Sequence, residues 1–172
     1  MKSRVLVAGM GNDLCQDDGF GIVAVRRFIA AGVPEGVRVV EPGSGGISLV
    51  QELMDGYEAL IIVDAVDRGG EPGTVYLLET EVPDFATLPE AQQRDFLADM
   101  HATVPSRVLT LAQALGVLPG VIYILGCQPQ RYELGMGLSA PVERGVTEAV
   151  NRMKALTGVL MEDAIMGAMI GG

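Results

Sequence analysis

Three features of the sequence predict a three-layer α/β/α sandwich, in which helices cover both faces of a mostly parallel sheet. Short, uninterrupted apolar runs, which are typical of strands buried on both faces, recur along the chain. Segments with helical apolar spacing lie between these runs, and glycine or proline residues separate the two kinds of segment. Since alternating strands and helices favour a sheet between helical layers, we expect one α/β fold with about five strands.

Five apolar runs are predicted to form the strands of this sheet. They cover residues 4–8, 37–40, 59–63, 74–78 and 121–125. A turn-rich link with Gly69-Gly70 and Pro72-Gly73 joins the third and fourth runs. Because this link is too short for a crossover helix, we expect the fourth strand to run antiparallel to the third. The sheet is therefore predicted to be mixed and mostly parallel.

Four segments carry the apolar spacing of helices. They cover residues 21–31, 47–54, 105–115 and about 139–156. In the second, Val50 and Met54 are expected on one face, and in the third Leu115 is expected to face inward. Ser139 and Pro141 are typical of a helix start, and Val142, Val146, Ala149 and Met153 form the expected buried face of the last helix.

The chain is predicted to form a single domain over residues 1–157, followed by an apolar tail over residues 158–172. Its 172 residues, 49% of them hydrophobic, suit one domain with a sizeable core. The acidic segment 81–100 is expected to be a partly helical loop. For the tail, an extra packed helix, an oligomer contact and a frayed end remain open.

Composition argues against two classes of partner. A formal net charge of −10 disfavours nucleic acid and anionic membranes, because both require basic surfaces. The sequence has neither a charged leader before an apolar run nor an apolar run long enough to cross a bilayer, so we expect a cytoplasmic location. Cys15 and Cys127 lie far apart in sequence, which in that location predicts free thiols.

Acidic side chains follow the first three predicted strands. Asp17 and Asp18 lie in the loop after the first, Glu41 follows the second, and Asp64 follows the third directly. The single histidine, His101, precedes the helix that leads into the fifth strand. Two carboxylates and an imidazole suit a borderline divalent metal, and they also suit acid/base chemistry. The residue types leave both possibilities open.

Simpler roles compete with these functional ones. An aspartate at a helix start is often there because it complements the helix dipole, and a lone histidine is often a surface residue. Cys15 with His101 as base is a further candidate nucleophile, although free cysteines usually just pack. A dinucleotide fingerprint starts at Gly9, but Leu14 occupies the position of its third glycine, and neither a GxxxxGK[ST] loop nor a GxSxG elbow is present.

A longer pattern resembles the opening signature of the hydrogenase maturation endopeptidases. It reads Gly9-x-Gly11-Asn12-x-Leu14-x-x-Asp17-Asp18-Gly19-x-Gly21. Further stretches resemble later parts of the same family: residues 41–46, residues 61–65, His101 ahead of residues 106–109, and residues 137–139. The resemblance therefore extends along most of the chain.

The resemblance implies a phosphorylase/hydrolase-like fold, with a five-stranded, twisted, mixed sheet between helices. It also implies an endopeptidase, usually grouped with aspartic-type enzymes, that cuts a C-terminal peptide from the nickel-loaded precursor of a nickel–iron hydrogenase large subunit. Nickel would then arrive with the precursor, and no permanently bound cofactor is expected. The alternative is a non-proteolytic nickel-binding chaperone or sensor of the same fold. A metal-dependent hydrolase of small molecules and a nucleotide-binding module are further rivals.

The resemblance also implies roles for particular residues. Three metal ligands, two of them also catalytic, and a substrate-binding loop are expected. The ligands are Asp18, Asp64 and His101, the catalytic pair is Asp18 and Asp64, and the loop comprises Glu41, Gly43, Gly45 and Gly46. Two routes to cleavage remain open: the metal polarises the carbonyl or a water, or an aspartate, with Glu41 as a further candidate, activates water as a base.

Overall fold

The computed structural model describes residues 4–44, 46–82, 84–98 and 105–170, and within these ranges the chain forms a five-stranded sheet. The strands are β1 (Val5–Met10), β2 (Val37–Gly43), β3 (Ala59–Ala65), β4 (Val75–Glu79) and β5 (Val121–Cys127). Their order is β2-β1-β3-β5-β4, and β4 alone runs antiparallel to its neighbour. The predicted mixed sheet is confirmed. β4 pairs with β5 rather than with β3, because β5 lies between them.

Helices cover both faces of the sheet. They are α1 (Phe20–Ala30), α2 (Gly46–Leu53), α3 (Glu90–Ala98), α4 (Pro105–Ala114) and α5 (Ala140–Ile170). In β1, Val5 and Val7 pack with residues of α1 and α5, while Leu6 and Ala8 pack with residues of α2 and α4. Because alternate side chains of a strand point to opposite faces, β1 is buried on both sides, which explains its uninterrupted apolar sequence.

The long helix α5 joins the predicted tail to the body of the protein. Its predicted inward face is fully buried, as Val142, Val146, Ala149 and Met153 show. The helix runs without a break across the expected boundary at residue 157, and Leu160 is buried beyond it. The guanidinium of Arg4 donates a hydrogen bond of 2.6 Å to the carbonyl oxygen of Ala164. The first half of the tail is therefore part of the packed domain.

Two predictions about helix faces were wrong, because Met54 does not share the buried face of Val50 and Leu115 does not face inward. Met54 and Leu115 are exposed, at 67% and 57%, while Leu53 and Leu109 are buried. Met54 and Leu115 both lie just beyond the last residue of their helix, where the chain leaves the helical path and no longer follows the helical spacing.

Several strands extend beyond their apolar runs, at the edge that carries the acidic residues. β2 continues to Gly43 and β3 to Ala65, so Glu41 and Asp64 lie within strands rather than after them. Strand pairing continues there because the hydrogen bonds between parallel strands join backbone groups and do not depend on apolar side chains. The acidic segment contains a 3-10 turn at Phe85–Thr87 and helix α3. In the part of the chain that the structure describes, no helix is both long and apolar enough to cross a membrane.

Candidate active site

Asp64 occupies the last position but one of β3, the central strand of the sheet, in register with Gly126 of β5. Only 8% of the residue is exposed, because strands flank it on both sides. Burial raises the pKa of Asp64 to about 7, and the negative charge of Asp18 adds to this rise, while the backbone N–H of Ala65 opposes it. A carboxyl group with this pKa both takes up and releases protons near neutral pH.

Asp18 lies in a short 3-10 helix, Gln16–Gly19, that connects β1 to α1. Its Oδ2 accepts a hydrogen bond of 3.0 Å from the backbone N–H of Asn12. Burial raises the pKa of Asp18, and the hydrogen bond from Asn12 opposes this rise. Since the charge of Asp18 also raises the pKa of Asp64, the two predicted catalytic carboxylates lie within electrostatic reach of each other.

Glycine at two positions allows the Asp18 loop and α1 to lie close to the carboxyl end of β3. Gly11 has φ +117°, and a Cβ atom there would lie 1.9 Å from the carbonyl oxygen of Asp18 and 3.7 Å from Oδ1 of Asp64. A Cβ on Gly21, in the first turn of α1, would lie 2.1 Å from the carbonyl oxygen of Val63. Any side chain at either position would push the Asp18 loop and α1 away from the sheet edge.

Asp17 has a different environment from Asp18. Its carboxylate is fully buried and accepts hydrogen bonds from the backbone N–H groups of Gln130, Arg131 and Ser139, at 2.8, 3.0 and 2.7 Å, and from the hydroxyl of Ser139 at 2.9 Å. Burial alone would raise the pKa of Asp17, but these four hydrogen bonds lower it overall. Asp17 is thus an ionised anchor for the loop that contains Gln130 and Arg131.

The anchored loop, residues 128–139, is an element of the site that the sequence did not reveal. Its Gly135 donates a backbone hydrogen bond of 2.8 Å to the carbonyl oxygen of Leu14 and accepts one of 2.9 Å from the N–H of Gln16. Burial raises the pKa of Tyr132 to about 12, and the charges of Asp67, Asp18 and Asp64 add to the rise. The phenol is therefore near enough to the acid pair for its pKa to respond to their charges.

The predicted substrate-binding residues have separate environments. Glu41 forms an ion pair with Arg26, with 2.8 Å between Oε2 and Nη2, and Arg26 also contacts Asp13 at 3.2 Å. Gly43 accepts a hydrogen bond of 3.2 Å from the N–H of Gly11, which places it at the acid edge.

Gly46 begins α2, and a Cβ atom there would lie 2.6 Å from the side chain of Val108 in α4. This contact gives Gly46 a role in packing α2 against α4. Gly45 lies outside the described residues. The substrate-binding role of the four residues Glu41, Gly43, Gly45 and Gly46 stays a prediction.

Comparison with known proteins identifies the family to which the chain belongs. Residues 24–155 match the family profile HycI, described as hydrogenase maturation protease. The chain belongs to the hydrogenase maturation protease family. The hydrogenase expression/formation protein HupD of Rhizobium leguminosarum bv. viciae is 38% identical over 149 residues, which span 85% of this chain and 69% of that protein. HupD of Rhodobacter capsulatus is 34% identical over 159 residues, which span 88% and 72%.

Solved structures of maturation proteases share the fold. The hydrogenase 2 maturation peptidase from Thaumarchaeota archaeon SCGC_AB-539-E09 is 34% identical, with a TM-score of 0.68, and the match covers 91% of this chain and 99% of that one. The maturating endopeptidase HybD from E. coli is 25% identical, with a TM-score of 0.71 and coverage of 89% and 91%. The predicted family, fold and proteolytic function in hydrogenase maturation are confirmed, and the non-proteolytic alternative is not favoured.

The predicted metal ligands of this maturation protease are only partly described. The structure brings Asp18 and Asp64 to one edge, whereas His101 lies outside the described residues. Within the described ranges, no group of three His, Cys, Asp or Glu side chains is arranged to hold a metal ion. The assignment of the three ligands therefore stays a prediction.

The two cysteines of the maturation protease are free, as predicted. Burial raises the pKa of Cys127 to about 12, and the charges of Asp17 and Glu148 add to this rise. Cys127 is consequently a neutral thiol at physiological pH, which makes it a poor nucleophile and a poor metal ligand.

Proposed function

We propose that this protease removes a C-terminal peptide from the nickel-loaded precursor of a hydrogenase large subunit, and that Asp18 and Asp64 act on that substrate. The acid pair at the carboxyl edge of the sheet supports the proposal. Both carboxyl groups have raised pKa values, because both are partly or wholly removed from water, and Asp64 is also repelled by Asp18. Such a pair is prepared to interact with a cation and to exchange a proton.

The repulsion between the carboxylates of Asp18 and Asp64 favours the binding of nickel. A divalent cation near both groups relieves that repulsion and favours their charged forms. Precursor cysteine thiolates are soft ligands suited to nickel, and carboxylate and imidazole groups from Asp18, Asp64 and His101 would complete its coordination. Binding through these side chains makes cleavage depend on a loaded precursor, so nickel acts as a checkpoint and belongs to the substrate.

Cleavage itself is assigned to aspartic-type chemistry at Asp64. Its carboxylate takes a proton from a water molecule, and the oxygen of that water attacks the carbonyl carbon of the peptide bond. When the C–N bond breaks, the same proton passes from Asp64 to the departing amine. The free protein is prepared for this exchange, because the pKa of Asp64 is about 7 before nickel arrives, and a bound cation favours the carboxylate form that accepts the proton.

Mass spectrometry of a nickel-loaded precursor, before and after incubation with the protease, tests this function. We expect the precursor mass to fall by that of a C-terminal peptide, and Asp18→Asn or Asp64→Asn to slow the cut roughly 100-fold or more. Asp163→Asn, which changes an exposed aspartate on α5, is the matched control and is expected to cut normally. An unchanged precursor mass under confirmed loading would contradict the proposal.

Binding measurements separate recognition from catalysis. If Asp64 acts as the base in addition to its role as a ligand, Asp64→Asn still retains the loaded precursor on a column through Asp18 and His101, although it does not cut it. Loss of binding instead would assign Asp64 to recognition alone. We also expect the purified protease, which we place in the cytoplasm, to carry no stoichiometric metal. Elemental analysis that finds a tightly bound metal would favour the rival hydrolase of small molecules.

A further inference from the structure

Four large apolar side chains stand exposed on the two loops beside Asp18. They are Leu14, Tyr132, Leu134 and Met136, with exposed fractions of 53%, 48%, 86% and 79%. We propose that these four residues, named here the flanking patch, dock an apolar segment of the hydrogenase precursor next to the bond that is cut. This inference rests on the proposed function, since it assigns a binding surface for the same substrate.

The members of the flanking patch lie on two loops that hydrogen bonds join, although Leu14 is distant in sequence from the other three. Gly135 bridges the loops through its two backbone hydrogen bonds, to the carbonyl oxygen of Leu14 at 2.8 Å and from the N–H of Gln16 at 2.9 Å. Gly135 lies between Leu134 and Met136, so this bridge brings their backbone beside that of Leu14. The bridge therefore places Leu14 close to Leu134 and Met136, and Tyr132 lies on the same loop as these two residues.

This surface is also held in place before any substrate arrives. The Asp17 carboxylate receives the N–H groups of Arg131 and Ser139, which lie on either side of the exposed loop residues. The N–H of Asp17 in turn donates a hydrogen bond of 3.2 Å to the carbonyl oxygen of Arg131. Exposed apolar side chains on anchored backbone are typical of a binding surface, because little order is lost when a partner covers them.

The position of the flanking patch near Asp18 indicates that its partner is the substrate. Asn12, whose N–H bonds the Asp18 carboxylate, lies two residues before Leu14. On the other loop, the phenol of Tyr132 lies within the electrostatic field of Asp18 and Asp64. A polypeptide whose peptide bond reaches the acid pair has to lie beside these loops. The occupant of the patch is therefore the part of the precursor next to the cut.

Other exposed apolar residues provide matched controls. Met169, on the last turn of α5, is 75% exposed, close to the value for Met136. Leu115, after the end of α4, is 57% exposed and serves as the control for Leu134. The same substitutions at these positions change surface hydrophobicity without touching the flanking patch.

The experiment compares Leu134→Asn and Met136→Gln with Leu115→Asn and Met169→Gln in the cleavage of nickel-loaded precursor. We expect each patch variant to raise KM roughly tenfold with kcat unchanged, because apolar contact is lost in ground state and transition state alike. Both controls are expected to keep the wild-type KM. A patch variant with unchanged KM, or controls that shift equally, would overturn the docking assignment.

Two further measurements separate this inference from its alternatives. If the wild-type protein does not cut any loaded precursor, the proposed function fails, and retention of that precursor on immobilised wild-type and patch variants still decides the docking assignment. Equal retention, or none by the wild type, overturns it. Sedimentation analysis of each variant tests for a second copy of this chain. Dissociation of a wild-type dimer by Leu134→Asn, with unchanged KM, would assign the patch to self-association and overturn precursor docking.

Discussion

Asp17 accepts two hydrogen bonds from Ser139, one from the backbone N–H at 2.7 Å and one from the hydroxyl at 2.9 Å. The two residues are 122 positions apart, and the contact ties the loop after β1 to the start of α5. Because Asp17 directly precedes Asp18, this anchor also sets the position of the predicted catalytic carboxylate. A structural contact and a functional group thus occupy consecutive residues.

Replacement of Asp17 by asparagine is expected to destabilise the fold. The NH₂ group of asparagine cannot accept the hydrogen bonds that one carboxylate oxygen of Asp17 accepts now. We expect this loss to lower the free energy of unfolding by an amount on the order of 3 kcal/mol. The pKa of Asp17 is lowered in the folded state, so its stabilisation is present above the unfolded pKa and is lost as the pH falls through the folded pKa. Urea unfolding of both proteins at neutral and acidic pH measures this, and the difference is expected to shrink in acid.

Ser139→Ala is the graded control for that measurement. It removes only the hydroxyl donor and keeps the backbone N–H bond to Asp17, so we expect a cost of about 1 kcal/mol. If Asp17→Asn had the same free energy of unfolding as the wild type at neutral pH, the anchor would not stabilise the fold.

Alanine at Gly11 is expected to disrupt the acid edge. The added Cβ would lie 1.9 Å from the carbonyl oxygen of Asp18, and φ +117° is unfavourable for alanine. Because the obstacle is backbone, the loop has to move, and we expect reduced stability together with loss of the interaction between Asp18 and Asp64. Thermal unfolding and a carboxyl NMR titration of Asp64 report the two effects.

Gly158→Ala is the matched control for Gly11→Ala. Gly158 lies inside α5, and a Cβ there would meet nothing within 4 Å. Since alanine is the better helix former, we expect this variant to gain up to about 1 kcal/mol. If both alanine variants unfolded at the wild-type temperature, close backbone approach at Gly11 would not matter for the fold.

Asp64→Asn is expected to stabilise the free protein at alkaline pH. The pKa of Asp64 rises from 3.8 in the unfolded chain to about 7 in the fold, so its contribution to stability is complete below pH 4 and is lost as the pH rises to 7. The loss amounts to about 4 kcal/mol at most, and asparagine avoids it because it carries no charge.

Urea unfolding at pH 4 and pH 8 tests this prediction. We expect the asparagine variant to exceed the wild type at pH 8 and to match it more closely at pH 4. Asp163→Asn, at an exposed position, is expected to leave the stability unchanged. Asp18→Asn removes the repulsive charge, so it should lower the pKa of Asp64 in an NMR titration. A pKa of Asp64 near 4 in the wild type would refute the argument.

His101→Ala is expected to abolish processing of the nickel-loaded precursor and to leave the fold intact. The imidazole is the third predicted ligand, and its removal takes a nitrogen donor from the nickel coordination. Mass spectrometry of the precursor and circular dichroism of the variant measure the two outcomes. Processing at the normal rate by His101→Ala would show that His101 is not a ligand.

Local sequence patterns predicted much of the fold. Buried strands are recognisable because burial on both faces requires an unbroken apolar run, and Asp64 is conspicuous because it interrupts one at its end. The face of α5 from Val142 to Met153 follows from helical spacing alone. The continuation of α5 to Ile170 was less evident, since Gly158 and Gly167 weaken a helical pattern that alanine, leucine and methionine otherwise favour.

The partners of polar groups were beyond the reach of such patterns. Glu41 pairs with Arg26, and Asp17 receives donors from residues 130–139, contacts that exist only because particular strands and loops meet. The sequence does not distinguish an aspartate that anchors a loop from an aspartate that acts on a substrate, because the residue type is the same. Asp17 and Asp18 are neighbours, and their surroundings differ only after the chain has folded.

From the sequence alone follow the α/β class, the family, and the acidic residues that belong at the carboxyl edge, because strand periodicity and motif spacing are local properties. The folded structure alone decides that Asp17 is the anchor, that Asp18 lies near Asp64, and that backbone hydrogen bonds join the loop of Leu14 to Gly135. These contacts join residues that are distant in the sequence, 122 positions apart in the case of Asp17 and Ser139, and only the tertiary fold brings them together.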